Sequence, residues 1–394
     1  MTTEPHAERP GQSPALQKTE DWRDDLRVVR ENSTNSAPVF QLGSLTLRAP
    51  VMLAPMAGYT DAAMRRICHQ FGAALCYTEM TNAISLLRNT DKTWHLLETL
   101  PGEGPLVAHL YGTDPAIFGE AAACVAATGR FVAIDVNVGC PARKITSNGA
   151  GAALMEKPAE VGRIVAAMHA ATTLPITVKT RIGPRAGCIT VFDILREVEQ
   201  NGGAALAVHG RFATQGHSGD VHLDVLAEVK RVARIPIFGN GGIHDKTGAE
   251  KMFRETGVDG ILIAQGAIGN PWIFKEICDV SDAAPARRDL DELRAALDMH
   301  ISDEIALQNQ IAAHFHLPSR ALPPEAATVA TFRCHLFRYL RGCRGANHVR
   351  RDLNTMRTLD AVRAAIAGCL EQEALFRVSP PRSRFGKFPD SPLA

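Results

Sequence analysis

From Pro38 to about residue 285 the chain repeats one pattern: a short run of Val, Ile, Leu and Ala, a Gly- or Pro-containing break, then an Ala-rich stretch with helical spacing. Eight runs read as strands: Val51 to Ala54, Leu75 to Thr78, Leu106 to Leu110, Val132 to Val136, Ile176 to Lys179, Ala205 to Val208, Ile235 to Phe238 and Gly260 to Ile263. They are apolar throughout rather than alternating, which predicts parallel strands covered by helices. Eight such units close into a (β/α)8 TIM barrel, an α/β fold, spanning 38–285. An open doubly wound sheet would place a Gly-rich fingerprint after its first strand, where this chain has Ala54-Pro55-Met56-Ala57-Gly58.

After about Leu290 the strands stop. Apolar residues at Leu293, Leu297, Ile301 and Ile305, then Phe332, Leu336, Phe337 and Leu340, then Leu353, Met356 and Leu359, predict a C-terminal all-helical domain over 286–378. Residues 1–37 are polar, contain Pro5, Pro10 and Pro14, and read as a flexible extension. Residues 379–394 read as a basic disordered tail.

Composition narrows the class. With 45% hydrophobic and 22% charged residues the chain reads as globular, and no apolar run approaches the roughly 20 residues of a membrane span. The first residues lack the basic-then-apolar order of a secretory leader, so a cytoplasmic protein is expected, and a monomer. The nine cysteines form no Cys-x-x-Cys pair or zinc-like cluster, which predicts reduced thiols and no metal. Net charge is +1, yet Thr331 to Ala394 holds twelve Arg and Lys against five Asp and Glu. That uneven sign points to a polyanionic partner for the helical domain.

Catalytic groups of a βα barrel come from the C-terminal ends of its strands, and the unusual residues fall there. In strand order they are Pro55, Met56 and Ala57; Glu79; His109; Asn137 and Cys140; Lys179 and Arg181; His209 and Arg211; Asn240, Gly241 and Gly242; and Ala264, Gln265 and Gly266. Taken singly, a strand-end Lys is a solvated charge and a Gly-Asn-Gly-Gly run is a turn; eight successive ends together are a site. The glycines after strands seven and eight stand where barrels cradle a phosphate on backbone N–H groups. Lys179 adds a fixed positive charge, suited to the negative charge a reduced flavin carries near N1 and O2.

Five ordered segments carry a resemblance: Leu53-Ala54-Pro55-Met56-Ala57-Gly58-Tyr59-Thr60-Asp61, Asp135-Val136-Asn137-Val138-Gly139-Cys140-Pro141, Val178-Lys179-Thr180-Arg181, Val208-His209-Gly210-Arg211 and Gly239-Asn240-Gly241-Gly242-Ile243. In order and spacing the chain resembles the tRNA-dihydrouridine synthases. Arg333-Cys334-His335-Leu336 and Tyr339-Leu340-Arg341-Gly342 are similar to the bacterial B-type branch. The resemblance implies bound FMN, NADPH as reductant, and tRNA as substrate, with position 17 as the uridine. It implies hydride delivery from flavin N5 to uracil C6 and a proton from Cys140 to C5. Thiols suit that step, being mostly protonated near neutrality yet acidic enough to donate. It further implies Pro55, Met56, Ala57, His109, Lys179, His209, Asn240, Gly241, Gly242, Ala264, Gln265 and Gly266 at the cofactor, and Asn137, Arg181, Arg143, Lys144 and Arg211 at the substrate.

The chain departs from the family pattern at His109, where glutamine is usual, at Ala264-Gln265, where Gly-Arg meets the FMN phosphate, and at Pro184, where tryptophan is common. Imidazole and amide can still hydrogen-bond, so FMN binding is expected to be retained but weaker. Two other functions fit a barrel of this kind: an FMN oxidoreductase acting on a small molecule, like dihydroorotate dehydrogenase, or a non-catalytic tRNA-binding homologue. The basic helical domain argues against the first, and intact Cys140, Lys179 and Asn137 against the second.

Overall fold

A computed structural model of the chain describes residues 40–43, 45–47, 49–88, 91–279, 288–316 and 321–378. The expected extension 1–37 and tail 379–394 lie outside these residues, as does the boundary at 285.

Eight parallel strands close on themselves: β3 (Val51–Leu53), β4 (Leu75–Tyr77), β5 (Leu106–Tyr111), β6 (Ala133–Asn137), β7 (Ile176–Arg181), β8 (Ala205–His209), β9 (Ile237–Asn240) and β10 (Gly260–Ile263). Each pairs with its successor, and Ile261 of β10 pairs with Val51 of β3, so no edge is left open. This is the TIM barrel the hydrophobic pattern predicts. Ahead of it, the antiparallel hairpin β1 (Phe40–Leu42) and β2 (Leu45–Leu47) was not foreseen. Its Leu42 and Leu47 join Met52, Leu75, Tyr77, Val107, Ala205, Phe238 and Leu262 in one buried cluster that fills the barrel interior. The hairpin thereby stoppers the barrel.

Strand side chains alternate between the two faces, and the interior positions are read off at every second residue. Ala205 and Ala207 lie inside, so His209 does too; Phe238 leads to Asn240 and Val107 to His109. On β6 and β7 the interior set continues from Ala133 to Asp135 and Asn137, and from Thr177 to Lys179. Small and apolar side chains fill the lower layers, while polar ones crown the C-terminal end.

The crossover helices are α1 (Ala62–Gln70), α2 (Ala83–Leu87), α3 (Pro115–Ala127), α4 (Pro158–Ala171), α5 (Val191–Gln200), α6 (Leu223–Val232), α7 (Lys246–Thr256) and α8 (Ile273–Cys278). Their starts follow the sequence: Asp61, Asp114 and Asp245 accept hydrogen bonds from first-turn amides, and Pro115 and Pro158 occupy first positions that need no donor.

Beyond the barrel come α9 (Leu290–His314), α10 (Pro324–Tyr339), α11 (Ala346–Asp352) and α12 (Leu359–Val378). These helices pack directly on the barrel. Ala62, Ala63 and Leu100 form a buried cluster with Leu307 and Ile311 of α9. Arg66 reaches Asp303 at 3.0 Å, and Gln310 donates to the Thr99 carbonyl at 2.9 Å. The middle of α10 touches the loop after β3, with Cys334 Sγ 3.7 Å from the Gly58 carbonyl oxygen and His335 edge-on to Tyr59 at 5.7 Å. No helix among the described residues is long and apolar enough to cross a membrane.

Candidate active site

The strand register brings the polar crown together. Asn137 of β6 lies opposite Lys179 of β7, and His209 of β8 lies opposite both Arg181 and Asn240. Lys179 Nζ donates to Asn240 Oδ1 at 3.1 Å, and Asn240 Nδ2 donates to the Leu262 carbonyl at 2.7 Å, so the amide is fixed with its oxygen towards the lysine. Burial, reinforced by the neighbouring Arg181 charge, pushes the Lys179 ammonium down to about 8; Asp135 and Cys140 act in the opposite sense.

Cys140 follows β6 in a turn shaped by Asn137. The Asn137 Oδ1 accepts from the amides of Gly139 at 3.1 Å and Cys140 at 3.0 Å, leaving Nδ2, which sits 3.5 Å from Met80 Sδ. Asn137 therefore builds the cysteine turn and keeps only its donor for a substrate. Cys140 is half-buried and within electrostatic reach of both Lys179 and Arg181. Its carbonyl accepts from Ala152 at 2.9 Å. Gly151 has φ +58°, and a Cβ there would stand 2.8 Å from that carbonyl oxygen, so only glycine lets the 142–155 loop fold back on the cysteine. Arg143 and Lys144 lie exposed on that loop, in the short helix Arg143–Thr146.

Arg181 is almost fully buried, and its guanidinium is committed to protein. It donates to the carbonyls of Gly139 at 2.9 Å, Phe212 at 3.3 Å and Gly216 at 2.7 Å. It thus braces the Cys140 turn against the 212–217 loop. Burial brings its pKa down to about 10, still charged at neutral pH. Arg211 donates from Nε to Gly219 O at 2.9 Å, and its Nη1 is 3.2 Å from His209 Nε2. An arginine cannot accept, so that histidine nitrogen is unprotonated and the proton sits on Nδ1. Burial and the charges of Lys179, Arg181 and Arg211 hold His209 neutral, far below the usual histidine range. His217 stacks on it at 6.1 Å.

His109 Nδ1 lies 2.6 Å from Asp135 Oδ2, and Asp135 Oδ1 accepts from Thr177 Oγ1 at 2.6 Å. The carboxylate fixes the ring, with Nδ1 as donor, so Nε2 is the nitrogen left for a ligand. Asp135 and Thr177 were not among the expected site residues, although they stand two places before Asn137 and Lys179 on the same interior face. Glu79, at the end of β4, is also part of the rim: Oε2 accepts the Gly58 amide at 2.5 Å, and burial raises its pKa. Pro55 and Met56 are half-buried and Ala57 exposed in the turn after β3, which Thr60 closes by hydrogen bonds with Met56. Pro184 abuts the 212–217 loop, its carbonyl accepting from the Thr214 amide at 3.2 Å.

Gly241 and Gly242 have φ of +111° and +73°. A Cβ on Gly241 would come within 2.7 Å of the His209 ring, and one on Gly266 within 2.5 Å of the Ile243 carbonyl oxygen. Among the described residues the amides of Gly241, Gly242, Gln265 and Gly266 donate to no protein acceptor. A cradle of unengaged amides beside Lys179, which a Cβ would fill, fits a phosphate-bearing cofactor. Ala264 is half-buried and Gln265 exposed on the same turn.

Residues 52–375 match the family described as Dihydrouridine synthase (Dus). The chain is 35% identical over 346 residues to the probable tRNA-dihydrouridine synthase of Mycobacterium tuberculosis (strain CDC 1551 / Oshkosh), covering 84% of this chain and 85% of that protein. It is 33% identical over 331 residues to tRNA-dihydrouridine synthase B of Pseudomonas aeruginosa, covering 83% and 95%, and 37% identical over 237 residues to tRNA-dihydrouridine synthase B of Xanthomonas campestris pv. campestris, covering 60% and 71%.

Proposed function

The chain belongs to the dihydrouridine synthase family, and on that premise we propose that it reduces the 5,6 double bond of a tRNA uridine, with Cys140 as proton donor. The observation that carries the reading is the convergence of Cys140, Lys179, Asn240 and the glycine cradle on one barrel mouth.

FMN fits that mouth. Its phosphate would rest on the amides of Gly241, Gly242, Gln265 and Gly266, and its ring would meet Lys179, Asn240, His109 Nε2, His209 and the Pro55-Met56-Ala57 turn. FMN bound there and reduced by NADPH would supply the hydride for uracil C6. Lys179 stabilises negative charge in the mouth. Neutral His209 donates from Nδ1 without adding a second charge. The Cys140 thiol releases its proton to C5, where negative charge collects once C6 has been saturated. Asn137 Nδ2 donates to a uracil carbonyl, and Arg181 keeps the thiol in place through Gly139. Because a stacked base cannot enter the barrel, the uridine is turned out of the RNA, while Arg143, Lys144, Arg211 and the helical domain hold the surrounding backbone.

The test is dihydrouridine formation in tRNA lacking it, followed together with NADPH oxidation. Oxidation should depend on tRNA. Cys140→Ala should keep FMN while losing roughly 10² to 10⁴ in uracil reduction. NADPH oxidation indifferent to tRNA, with no dihydrouridine formed, would overturn the reading.

A further inference from the structure

Among the nine free cysteines, Cys343 and Cys369 pair a thiol that solvent reaches with one that it does not. Cys343 is half-buried in the turn between α10 and α11, on the wall of an open groove of about 700 Å³. Cys369, in the middle of α12, is 2% exposed. A hydrogen bond joins the two sulfurs.

The backbone around them supports that contact. Cys369 Sγ donates to the carbonyl of Arg344, the residue next to Cys343, at 3.2 Å. At Gly345, with φ +84°, a Cβ would stand 3.6 Å from the Cys369 Cα. One helical turn along α12, Glu373 Oε2 accepts the Arg344 amide at 2.9 Å. The turn is therefore held against α12 at the place where a bond between the sulfurs would form.

Access separates this pair from the other close one. Cys68 of α1 and Cys76 of β4 also lie within electrostatic reach of each other, but both are fully buried and closed to an oxidant. Cys343 instead shares its groove with Arg341 and Arg344. The Arg344 guanidinium lies over the Phe376 ring at 3.8 Å, which leaves its in-plane N–H groups free to meet an oxygen that gains charge. The hydrogen bond from Cys343, then burial and the Glu373 carboxylate, hold the Cys369 thiol far above the usual range, so it keeps its proton until reaction removes it.

We propose that Cys343 and Cys369 form a redox-modification site, at which a hydroperoxide converts the pair to a reversible disulfide, Cys343 attacking and Cys369 resolving. In the first step the Cys343 sulfur bonds to one peroxide oxygen and the O–O bond breaks. The other oxygen leaves as water with the thiol proton; sulfur is oxidised to the sulfenic acid and the peroxide is reduced. In the second step the Cys369 sulfur bonds to the Cys343 sulfur, the S–O bond breaks, and the hydroxyl leaves as water with the Cys369 proton. Two thiols and one hydrogen peroxide give one disulfide and two waters, and a dithiol reverses the change by exchange. None of this chemistry draws on the barrel mouth, so its failure leaves the tRNA reading intact.

The test is mass-spectrometric peptide mapping of the full chain after a brief hydrogen peroxide pulse, with the remaining thiols alkylated in denaturant. Wild type should lose alkylation at Cys343 and Cys369 together and yield their linked peptides, which dithiothreitol should abolish, while Cys68 and Cys76 stay alkylated. C369S should stop at a Cys343 sulfenic acid that dimedone captures, and C343S should leave Cys369 alkylated. The wild-type map decides even if a variant fails to fold. Full alkylation of both residues after a pulse that oxidises the exposed Cys124 and Cys278 overturns the site. So does a disulfide joining either sulfur to a different cysteine, and dimedone capture at Cys369 in C343S overturns the assigned roles.

Discussion

Replacing Arg181 separates two jobs an arginine at this place could do. In the structure it serves three carbonyls, two of them in the 212–217 loop and one, Gly139, next to Cys140. Hydrogen bonds from a charged donor contribute roughly 1.5 to 3 kcal/mol each, so the gross loss in Arg181→Met is about 5 to 9 kcal/mol. Against this stands the burden of keeping the charge in a nearly dry place. A pKa brought down from 12.5 to about 10 corresponds to roughly 3 kcal/mol, which methionine would relieve. A net destabilisation of about 2 to 6 kcal/mol remains, enough to lower Tm by roughly 2 to 7 °C in a protein of this length. The freed turn should also misplace the Cys140 thiol, and displacements near 1 Å lower rates on the order of 10²-fold. Differential scanning fluorimetry and steady-state assays on tRNA would read both effects: kcat falls, KM moves little, and Arg181→Lys recovers part of each. A substrate-gripping arginine behaves otherwise. If Arg181→Met melts within 1 °C of wild type and only KM rises, the bracing role is wrong.

Two further outcomes follow from the cofactor cradle. Lys179 has its pKa below the ordinary lysine value, so the unfolded chain binds the extra proton and the stability of the FMN-free protein should rise between pH 8 and 10.5. FMN bound as proposed would favour the charged lysine, so its affinity, followed by flavin fluorescence, should fall as pH climbs past 8; Lys179→Met should flatten that profile, and a wild-type profile flat from pH 7 to 9.5 would remove the lysine from the proposed cofactor site. Gly241→Ala forces a Cβ to 2.7 Å from the His209 ring at φ +111°. Strain of about 1 to 3 kcal/mol should appear as a lower Tm and roughly 10-fold or weaker FMN binding, whereas unchanged titrations would place the phosphate elsewhere.

The barrel was legible because burial on both faces leaves strands nearly pure in Val, Ile, Leu and Ala. Boundaries moved where other rules entered. The strand expected to begin at Ile235 begins at Ile237, after Pro236, which has no N–H to give the ladder. Strands also ran further than expected, to Asn137, Arg181, His209 and Asn240, because polar residues at those ends face a shared interior rather than solvent. Asp135 and Thr177 escaped notice for the same reason: inside otherwise apolar runs, their partners His109 and each other come from different strands. The committed hydrogen bonds of Asn137 and Arg181 were likewise unreadable, since spacing names a residue at the mouth but not which way its donors turn. The Phe40 to Leu47 hairpin lay in a stretch too short to show a period.

The packing of Ala62, Ala63 and Leu100 against Leu307 and Ile311 has a consequence for modular engineering. A seam of that kind is hidden in the native chain but becomes a bare, greasy stripe if the helical part is cut away, and the Thr99 carbonyl and Arg66 lose their partners with it. Grafting another helical appendage onto this barrel would therefore require recutting α1 to match. Barrel and helices travel together as one inheritance.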